Sequence, residues 1–165
     1  LRKTRNSSDY VGKLRRLPSS LSNIYRFRKV RGREKGYVYF QDFIENNQYD
    51  TRITVIGNRA FGFRRMVRKN DFRASGSGHI DYDSSKIDKK CIVIAFEVAE
   101  KLQSQSLAFD FVHGRELAPL IVEISYSYVA NAVKACDGHW DRDLKWHEGA
   151  MWPQDAILLD LLATM

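Results

Sequence analysis

Residues 110–125 read DFVHGRELAPLIVEIS, two apolar strand-like runs on either side of a turn that contains glycine and proline. Each run holds one acid, and numbering the hairpin about its middle places Asp110 opposite Glu123. Directly opposed residues of an antiparallel pair have Cβ atoms about 5 Å apart, so two carboxylates there repel each other. In an apolar sheet they need protons, arginines or a cation to be tolerated.

A third oxygen ligand lies close to this acid pair. Ser125 stands two residues beyond Glu123 and therefore projects from the same face of the strand. Magnesium is the ion most often held by two carboxylates together with the phosphates of a substrate. We therefore predict a magnesium site formed by Asp110, Glu123 and Ser125.

A second hairpin is predicted within a three-stranded meander over residues 36–66. Residues 37–44 are β-branched and aromatic, and Gly57-Asn58 is a two-residue turn signal. Counting outward from this turn places Asp50 opposite Arg65 and Arg52 opposite Phe63, with Asp50 and Arg52 on one face. The set is either a structural ion pair or a phosphate-binding face, since arginine suits bidentate recognition of phosphate.

A glycine- and serine-rich loop follows the meander. Arg73 stands just before it, and Gly76 and Gly78 lie within it. Glycines in such a loop let backbone N–H groups approach an anion, although the same composition also occurs in ordinary flexible loops. With the arginines and the acid pair, the loop indicates a site for a phosphorylated nucleotide and a transferring phosphoryl group.

Two helices complete the predicted fold. The hydrophobic period becomes helical from Lys86 to Gln103, with a cap among residues 83–85. A final helix is predicted from about Pro153 to Ala163, with a buried face formed by Ile157, Leu158, Leu161 and Leu162. The order of elements predicts an α+β fold, an antiparallel β-sheet with flanking helices.

Charge is distributed unevenly along the 165 residues. Residues 1–35 hold 12 Lys/Arg and two acids, whereas residues 36–165 hold 15 Lys/Arg and 18 acids. We predict a basic leader over residues 1–35 and a near-neutral domain over residues 36–165. The leader is either a solvated connector or a surface for nucleic acid or anionic lipid. Because it contains no recognisable nucleic-acid motif, nucleic acid is not the expected partner.

Several classes of protein are excluded by the sequence. The chain contains no apolar run of about 18 residues, so no membrane span is expected. It contains no glycine-rich phosphate loop followed by lysine, which excludes a P-loop protein. Cys91 and Cys136 are far apart and are expected to be buried, and the cytoplasm is the expected compartment.

An ordered series of segments extends over residues 38–125. It consists of Gln41-Asp42-Phe43-Ile44, Asp50-Thr51-Arg52, Val55-Ile56-Gly57-Asn58, Arg65, Asp71-Phe72-Arg73-Ala74-Ser75, Asp110 and Glu123-Ile124-Ser125. With these segments, residues 38–125 resemble the C-terminal lobe of the ATP-grasp superfamily, nearest to the glutamate-ligase and glutathione-synthetase-like branches. The tail, residues 147–155, resembles that of ATP-grasp proteins found with surface-polysaccharide biosynthesis.

The resemblance implies a role for each matched residue. Arg65 would contact the phosphates and stabilise the acyl-phosphate step, and Arg52 would lie near the phosphates or the acceptor. Arg73 would shape the carboxylate-substrate site as a second catalytic residue. Ser125 stands where the family usually has asparagine. The adenine site would be lined by Gln41, Asp42, Phe43 and Ile44, and the Mg²⁺ ligands would be Asp110, Glu123 and Ser125.

The implied function is the ATP- and Mg²⁺-binding half of a carboxylate–amine, or carboxylate–thiol, ligase that acts through an acyl phosphate. Its partners would be ATP, a small carboxylate and an amine, with a homodimer left open. The chain alone is expected to be incomplete, because residues 1–35 do not supply the lysine-bearing strand and glycine-rich loop of the family's central lobe. The alternative is a non-catalytic nucleotide- or partner-binding module with a basic N-terminal surface.

Overall fold

The structure is a computed structural model, and it describes residues 38, 40–68, 74 and 76–163. The chain divides between Asp42 and Phe43, and the helices and strands of the described residues belong to the C-terminal unit. The predicted leader lies outside the described residues, and its boundary at residue 35 stays a prediction. In chain order the elements are β1 (Tyr49–Ile56), β2 (Arg59–Met66), β3 (Ile80–Asp81), α1 (Lys89–Lys101), β4 (Ser106–His113), β5 (Pro119–Ser125), α2 (Ala130–Lys134), β6 (Gly138–Trp140), β7 (Trp146–Glu148) and α3 (Pro153–Ala163).

The strands of the described residues form one seven-stranded sheet, and each pairing among them is antiparallel. The order across the sheet is β5-β4-β1-β2-β6-β7, and β3 pairs with β2. The two predicted hairpins therefore lie side by side, joined through the pairing of β1 with β4. The predicted α+β class with an antiparallel sheet and flanking helices is confirmed.

The hairpin of β1 and β2 turns at Gly57-Asn58, as the sequence predicts. Gly57 has φ +56°, a conformation that L-residues with a Cβ rarely adopt. The register that follows from this turn places Asp50 opposite Arg65 and Arg52 opposite Phe63, which confirms the predicted pairing.

The hairpin of β4 and β5 has the predicted register at its acids. Asp110 lies opposite Glu123, and Ala108 lies opposite Ser125. Glu123 and Ser125 therefore share the face of Asp110. The register shifts immediately after Asp110, because Phe111 lies opposite Ile121. This β-bulge lies next to the pair of Asp110 and Glu123. β-Bulges are common beside functional residues.

Helix α1 covers one face of the sheet. Asp88 caps its first turn by accepting a hydrogen bond from Lys90 N at 2.9 Å. The predicted start of this helix at Lys86 is wrong. The sequence contains two aspartates in this region that can cap a helix, and the one nearer the N-terminus does not cap the α-helix. Asp83 caps only a 3₁₀ turn over Ser84–Lys86, and Asp88 begins the α-helix. The core under α1 contains alternate residues of β1 and β4 together with one face of the helix, among them Ile53, Val55, Leu107, Phe109, Phe111, Cys91, Ile92 and Ala95.

A second core lies on the opposite face of the sheet, at the end that α2 and α3 cover. Ile56, Phe61 and Phe63 of β1 and β2 pack there against Val133 and Ala156 of the two helices. Cys136 is buried in this core and Cys91 in the first, as expected for both thiols. The other end of the same face is polar, and it holds the candidate site.

The predicted first strand of the meander is wrong for the residues that can be described. Residues 38 and 40–44 form no strand, and all but Ile44 are exposed. Strand β4, not this segment, is the second neighbour of β1. The composition of this segment favours a strand. A strand beside β1 would need a free edge of β1, but β2 and β4 occupy both of its edges.

Helix α3 has the predicted bounds but not the predicted buried face. Its buried residues are Pro153 and Ala156, and Ile157 is half-buried. Leu158, Leu161 and Leu162 are each more than half exposed. Apolar residues occur on every side of this helix, so periodicity could not identify its contact face. Ala156 is fully buried in the second core. Among the described residues no helix is both long and apolar enough to cross a membrane.

Candidate functional site

The candidate site is built from four neighbouring strands on the polar end of one sheet face. Asp50 and Arg52 come from β1, Arg65 from β2, Asp110 from β4 and Glu123 from β5. The pairing of β1 with β4 sets Arg52 opposite Asp110. Charged residues at alternate positions of adjacent strands thus form one continuous polar surface.

Two arginines and two aspartates on this surface are connected by ion pairs, and we call them the arginine–aspartate cluster. Arg52 donates from Nε and Nη2 to the two oxygens of Asp110, at 2.6 and 2.7 Å. Arg65 donates in the same way to Asp50, at 2.7 and 2.6 Å. Arg65 Nη2 also donates to Asp110 Oδ2 at 2.7 Å and so joins the two pairs. Bidentate pairs fix both orientation and distance.

The cluster is largely removed from water. The side chains of Arg65 and Asp110 are 10% and 5% exposed. Burial raises the pKa of Asp50, and the hydrogen bond and charge of Arg65 oppose that rise. For Arg65, burial alone would lower the pKa, but Asp50 and Asp110 reverse the direction and raise it. The cluster pairs two arginines with two aspartates. Arginines are therefore what makes Asp110 tolerable in this sheet.

Each arginine keeps donors that the cluster does not use. The Nη1 atoms of Arg52 and Arg65 form no hydrogen bond or ion pair with any residue that the structure describes. Both side chains also line a cavity of about 290 Å³ on the same face. A planar guanidinium held on one edge by a carboxylate can present its other edge to an anion.

The cavity is lined by both polar and apolar residues. Arg52, Arg65 and Thr54 line it together with the loop residues Gly76 and Gly78, while Phe63, Ile80, Tyr128 and Val133 supply apolar surface. Thr54 is fully buried, and its hydroxyl forms no hydrogen bond within the described part of the chain. A buried hydroxyl without a partner costs free energy unless a ligand or water satisfies it.

The other two predicted metal ligands differ in availability. Glu123 is exposed and forms no hydrogen bond or ion pair with the described residues. Ser125 Oγ is engaged locally, because it donates to Ser127 O at 2.8 Å and accepts from Ser127 N at 3.1 Å. Asp110 already accepts three N–H bonds. Glu123 is thus the carboxylate with its full set of lone pairs available.

The remaining predicted site residues are Gln41, Asp42, Phe43, Ile44 and Arg73. Gln41 and Asp42 belong to the N-terminal unit, and both are exposed. Phe43 is 62% exposed and Ile44 half-buried, in an irregular segment before β1. Arg73 lies outside the described residues. The adenine-lining role of residues 41–44 and the role of Arg73 stay predictions.

Two features of the site could not be found from the sequence. The pair of Arg52 with Asp110 joins residues 58 positions apart and depends on which hairpins adjoin. Thr54 carries no signal in its residue type, because threonine is an ordinary strand residue. Its signal is positional, since it lies two residues after Arg52 and so shares its face.

No family model matches the chain, and no curated protein matches it. Among solved structures it is similar to the crystal structure of macrocyclase MdnC bound with precursor peptide MdnA from Microcystis aeruginosa MRC. The TM-score is 0.45 and the sequence identity 14%, over 72% of this chain and 34% of that one. The chain thus spans about a third of the length of that protein. A similarity at this level does not establish a family.

Proposed function

We propose that residues 36–165 form the ATP- and Mg²⁺-binding half of a carboxylate–amine, or carboxylate–thiol, ligase of the ATP-grasp type. One observation carries the proposal. A single sheet face sets two oriented arginines with unused donors beside a cavity, and the free carboxylate of Glu123 lies on the same face. The ordered series of matching segments over residues 38–125 supports the family.

Arg52 and Arg65 are the proposed phosphate ligands. Asp110 and Asp50 hold both guanidinium planes in place before any ligand arrives, so little reorganisation is needed on binding. In phosphoryl transfer the protein contributes mainly position and positive charge on the phosphoryl oxygens. Arg73 is proposed to shape the site of the carboxylate substrate.

The residues present fit a magnesium ion. Mg²⁺ is commonly held by one or two carboxylates together with substrate phosphates and water. Glu123 supplies a free carboxylate, and Asp110 Oδ1 accepts only one hydrogen bond, which leaves it a lone pair. Ser125 would contribute only by giving up its bonds to Ser127. When bound, the ion would neutralise phosphate charge and orient the phosphates of ATP.

The cavity is the proposed place for the substrate carboxylate. A carboxylate oxygen would attack the γ-phosphorus of ATP, the bond to the bridging oxygen would break, and ADP would leave. An amine or thiol would then attack the acyl carbon and release phosphate. Arg52 and Arg65 are the donors available to orient the carboxylate and the transferring group.

Calorimetric titration of the chain with ATP, in Mg²⁺ and in chelator, tests the proposal. We expect Mg²⁺ to tighten binding, and Glu123→Gln to weaken binding in Mg²⁺ by about tenfold or more, a loss of about 1.4 kcal/mol. In chelator, Glu123→Gln should bind ATP as the parent chain does. The matched control is Glu97→Gln, which removes the same charge from an exposed position on α1, across the sheet.

Two results would contradict the proposal in different ways. Affinity that is equal with and without Mg²⁺, and unchanged in Glu123→Gln, would remove the metal site. That result would favour a non-catalytic module, for which the self-neutralised arginine–aspartate cluster is the supporting observation. No binding of ATP under either condition would remove the nucleotide site itself.

A further inference from the structure

Three side chains of metal-ligand type converge on the face of the sheet that α1 covers. Asp88 caps α1, Cys91 lies in its first turn, and His113 is the last residue of β4. A carboxylate oxygen, the Cys91 sulfur and a His113 ring nitrogen all lie within 4.8 Å of one another. Asp110 projects from the opposite face of β4, so this group is separate from the arginine–aspartate cluster.

The fold fixes the position of each of the three groups. Asp88 uses one oxygen, Oδ1, for the helix cap, and its Oδ2 lies 3.5 Å from His113 Nε2. Asn47 holds the backbone of His113 on both sides, since its Oδ1 accepts from His113 N at 2.8 Å and its Nδ2 donates to His113 O at 3.1 Å. Cys91 is fully buried on the first turn of a 13-residue helix.

The donor set identifies the class of ion. One sulfur, one nitrogen and one oxygen donor suit Zn²⁺ and similar transition ions, whereas Mg²⁺ and Ca²⁺ prefer oxygen alone. Zn²⁺ bound by three protein ligands keeps its fourth position for water. Bond lengths of about 2.0–2.3 Å place tetrahedral donors roughly 3.3–3.8 Å apart. Asp88 Oδ2 and His113 Nε2 already lie 3.5 Å apart. The separations from the Cys91 sulfur are within 4.8 Å, so they need to shorten by at most about 1.5 Å.

We propose that Asp88, Cys91 and His113 bind one transition-metal ion of the Zn²⁺ class, with water as the fourth ligand. On binding, the Cys91 thiol loses its proton to solvent and the sulfur forms a bond to the metal. The competing interpretation is a helix cap, a contact between His113 and Asp88, and a buried structural thiol without affinity for metal.

Titration of the full chain with Co²⁺ under reducing conditions tests the site. We expect one ion per chain, with a near-ultraviolet thiolate charge-transfer band and the strong visible bands of tetrahedral cobalt. One equivalent of Zn²⁺ should bleach these bands, and excess Mg²⁺ should leave them unchanged. Absence of the bands, or their loss on adding Mg²⁺, would overturn the proposal.

Variants assign the ligands. Cys91→Ser should abolish the charge-transfer band, and His113→Gln should weaken Co²⁺ binding by about tenfold or more. Asp88→Asn is the most selective change, because asparagine keeps the helix cap and removes only the charged ligand. Should Cys91→Ser not fold, His113→Gln and Asp88→Asn still decide the outcome, since full affinity in both would overturn the site.

Cys136→Ser is the matched control, because Cys136 is the other buried thiol and lies in the core on the opposite face. It should keep the band, and loss of the band in this variant alone would contradict the assignment. Glu123→Gln should also keep it. Since no ATP is present, the metal test and the nucleotide test fail independently.

Discussion

Asp110 is the residue on which the geometry of the candidate site depends, because it accepts hydrogen bonds from both arginines. Removing one partner of a buried ion pair leaves the others uncompensated, at a cost of about 3–5 kcal/mol. We therefore expect Asp110→Ala to lower the free energy of unfolding by about that amount in urea denaturation. Glu123→Gln, at an exposed position with no ion pair among the described residues, should change it by less than about 0.5 kcal/mol. If both variants lowered the free energy of unfolding equally, Asp110 would not differ from Glu123 in its structural role, and the prediction would be wrong.

Thr54 differs from Asp110 in its hydrogen bonding. The Thr54 hydroxyl is buried and has no hydrogen-bond partner in the part of the chain that the structure describes. An unsatisfied buried polar group costs about 1–3 kcal/mol, and valine has nearly the same shape without the hydroxyl. Thr54→Val should therefore raise the free energy of unfolding by up to about that amount, measured without nucleotide. A decrease would mean that the hydroxyl has a partner in the folded protein.

At the scale of single elements, hairpins were predictable and their neighbours were not. The register at Asp50, Arg65, Asp110 and Glu123 follows from counting outward from a turn, because strand pairing and side-chain alternation are fixed locally. The adjacency of β1 and β4 depends on contacts between segments that are distant in the sequence. For this reason the Arg52–Asp110 pair emerged only from the structure.

The predicted bounds of helices and strands were wrong where two local sequence signals competed. Asp83 and Asp88 are both good caps, and only the second begins α1. The sequence of residues 126–153 predicts only a mixed segment, but this segment contains α2 and the short strands β6 and β7. Strands of three residues have too little alternation to be identified by their period, and the sheet edge they extend is a property of the tertiary fold.

The hairpin of β6 and β7 predicts a pH-dependent stability. His139 stacks on His147, its direct cross-strand partner, with ring centroids 5.2 Å apart. His147 Nε2 lies 2.6 Å from Asp141 Oδ2. Burial, followed by the charges of His147 and Arg59, lowers the pKa of His139 below its ordinary value of 6.5, and Asp141 opposes this only in part. The unfolded chain therefore binds a proton at a pH where the folded one does not.

Stability should accordingly fall as the pH decreases from about 7 through 6.5 to the lower pKa of the folded state. We expect His139→Phe, which keeps a stacking ring, to flatten this dependence in urea denaturation series at several pH values. His79→Phe, at an exposed loop position, is the control and should follow the parent chain. A His139→Phe variant with the parental slope would assign the pH dependence to other groups.

Over the whole molecule, one sheet separates two sets of interactions. The face under α1 holds the larger core and the proposed transition-metal ligands. The opposite face holds the second core at one end and the arginine–aspartate cluster with its cavity at the other. The buried charges thus lie away from α1, and the sheet itself positions them. This division explains how a rigid charged site can coexist with a well-packed interior.

The separation can be tested by the additivity of changes on the two faces. Ile92 of α1 and Ile56 of β1 are both fully buried, but in different cores on opposite sides of the sheet. Each Ile→Val change removes one methylene group and should lower the free energy of unfolding by about 0.5–1.5 kcal/mol. Because the two side chains share no core, the loss of unfolding free energy in the double variant should equal the sum of the two single losses to within about 0.5 kcal/mol.

Within the arginine–aspartate cluster, by contrast, the loss in a double variant with Asp110→Asn and Arg65→Met should deviate from the sum of the single losses by about 0.5–3 kcal/mol, since the two groups are in direct contact. Urea denaturation of the two double-mutant cycles measures both quantities, and coupling between Ile56 and Ile92 as large as that within the cluster would show that the faces are not independent.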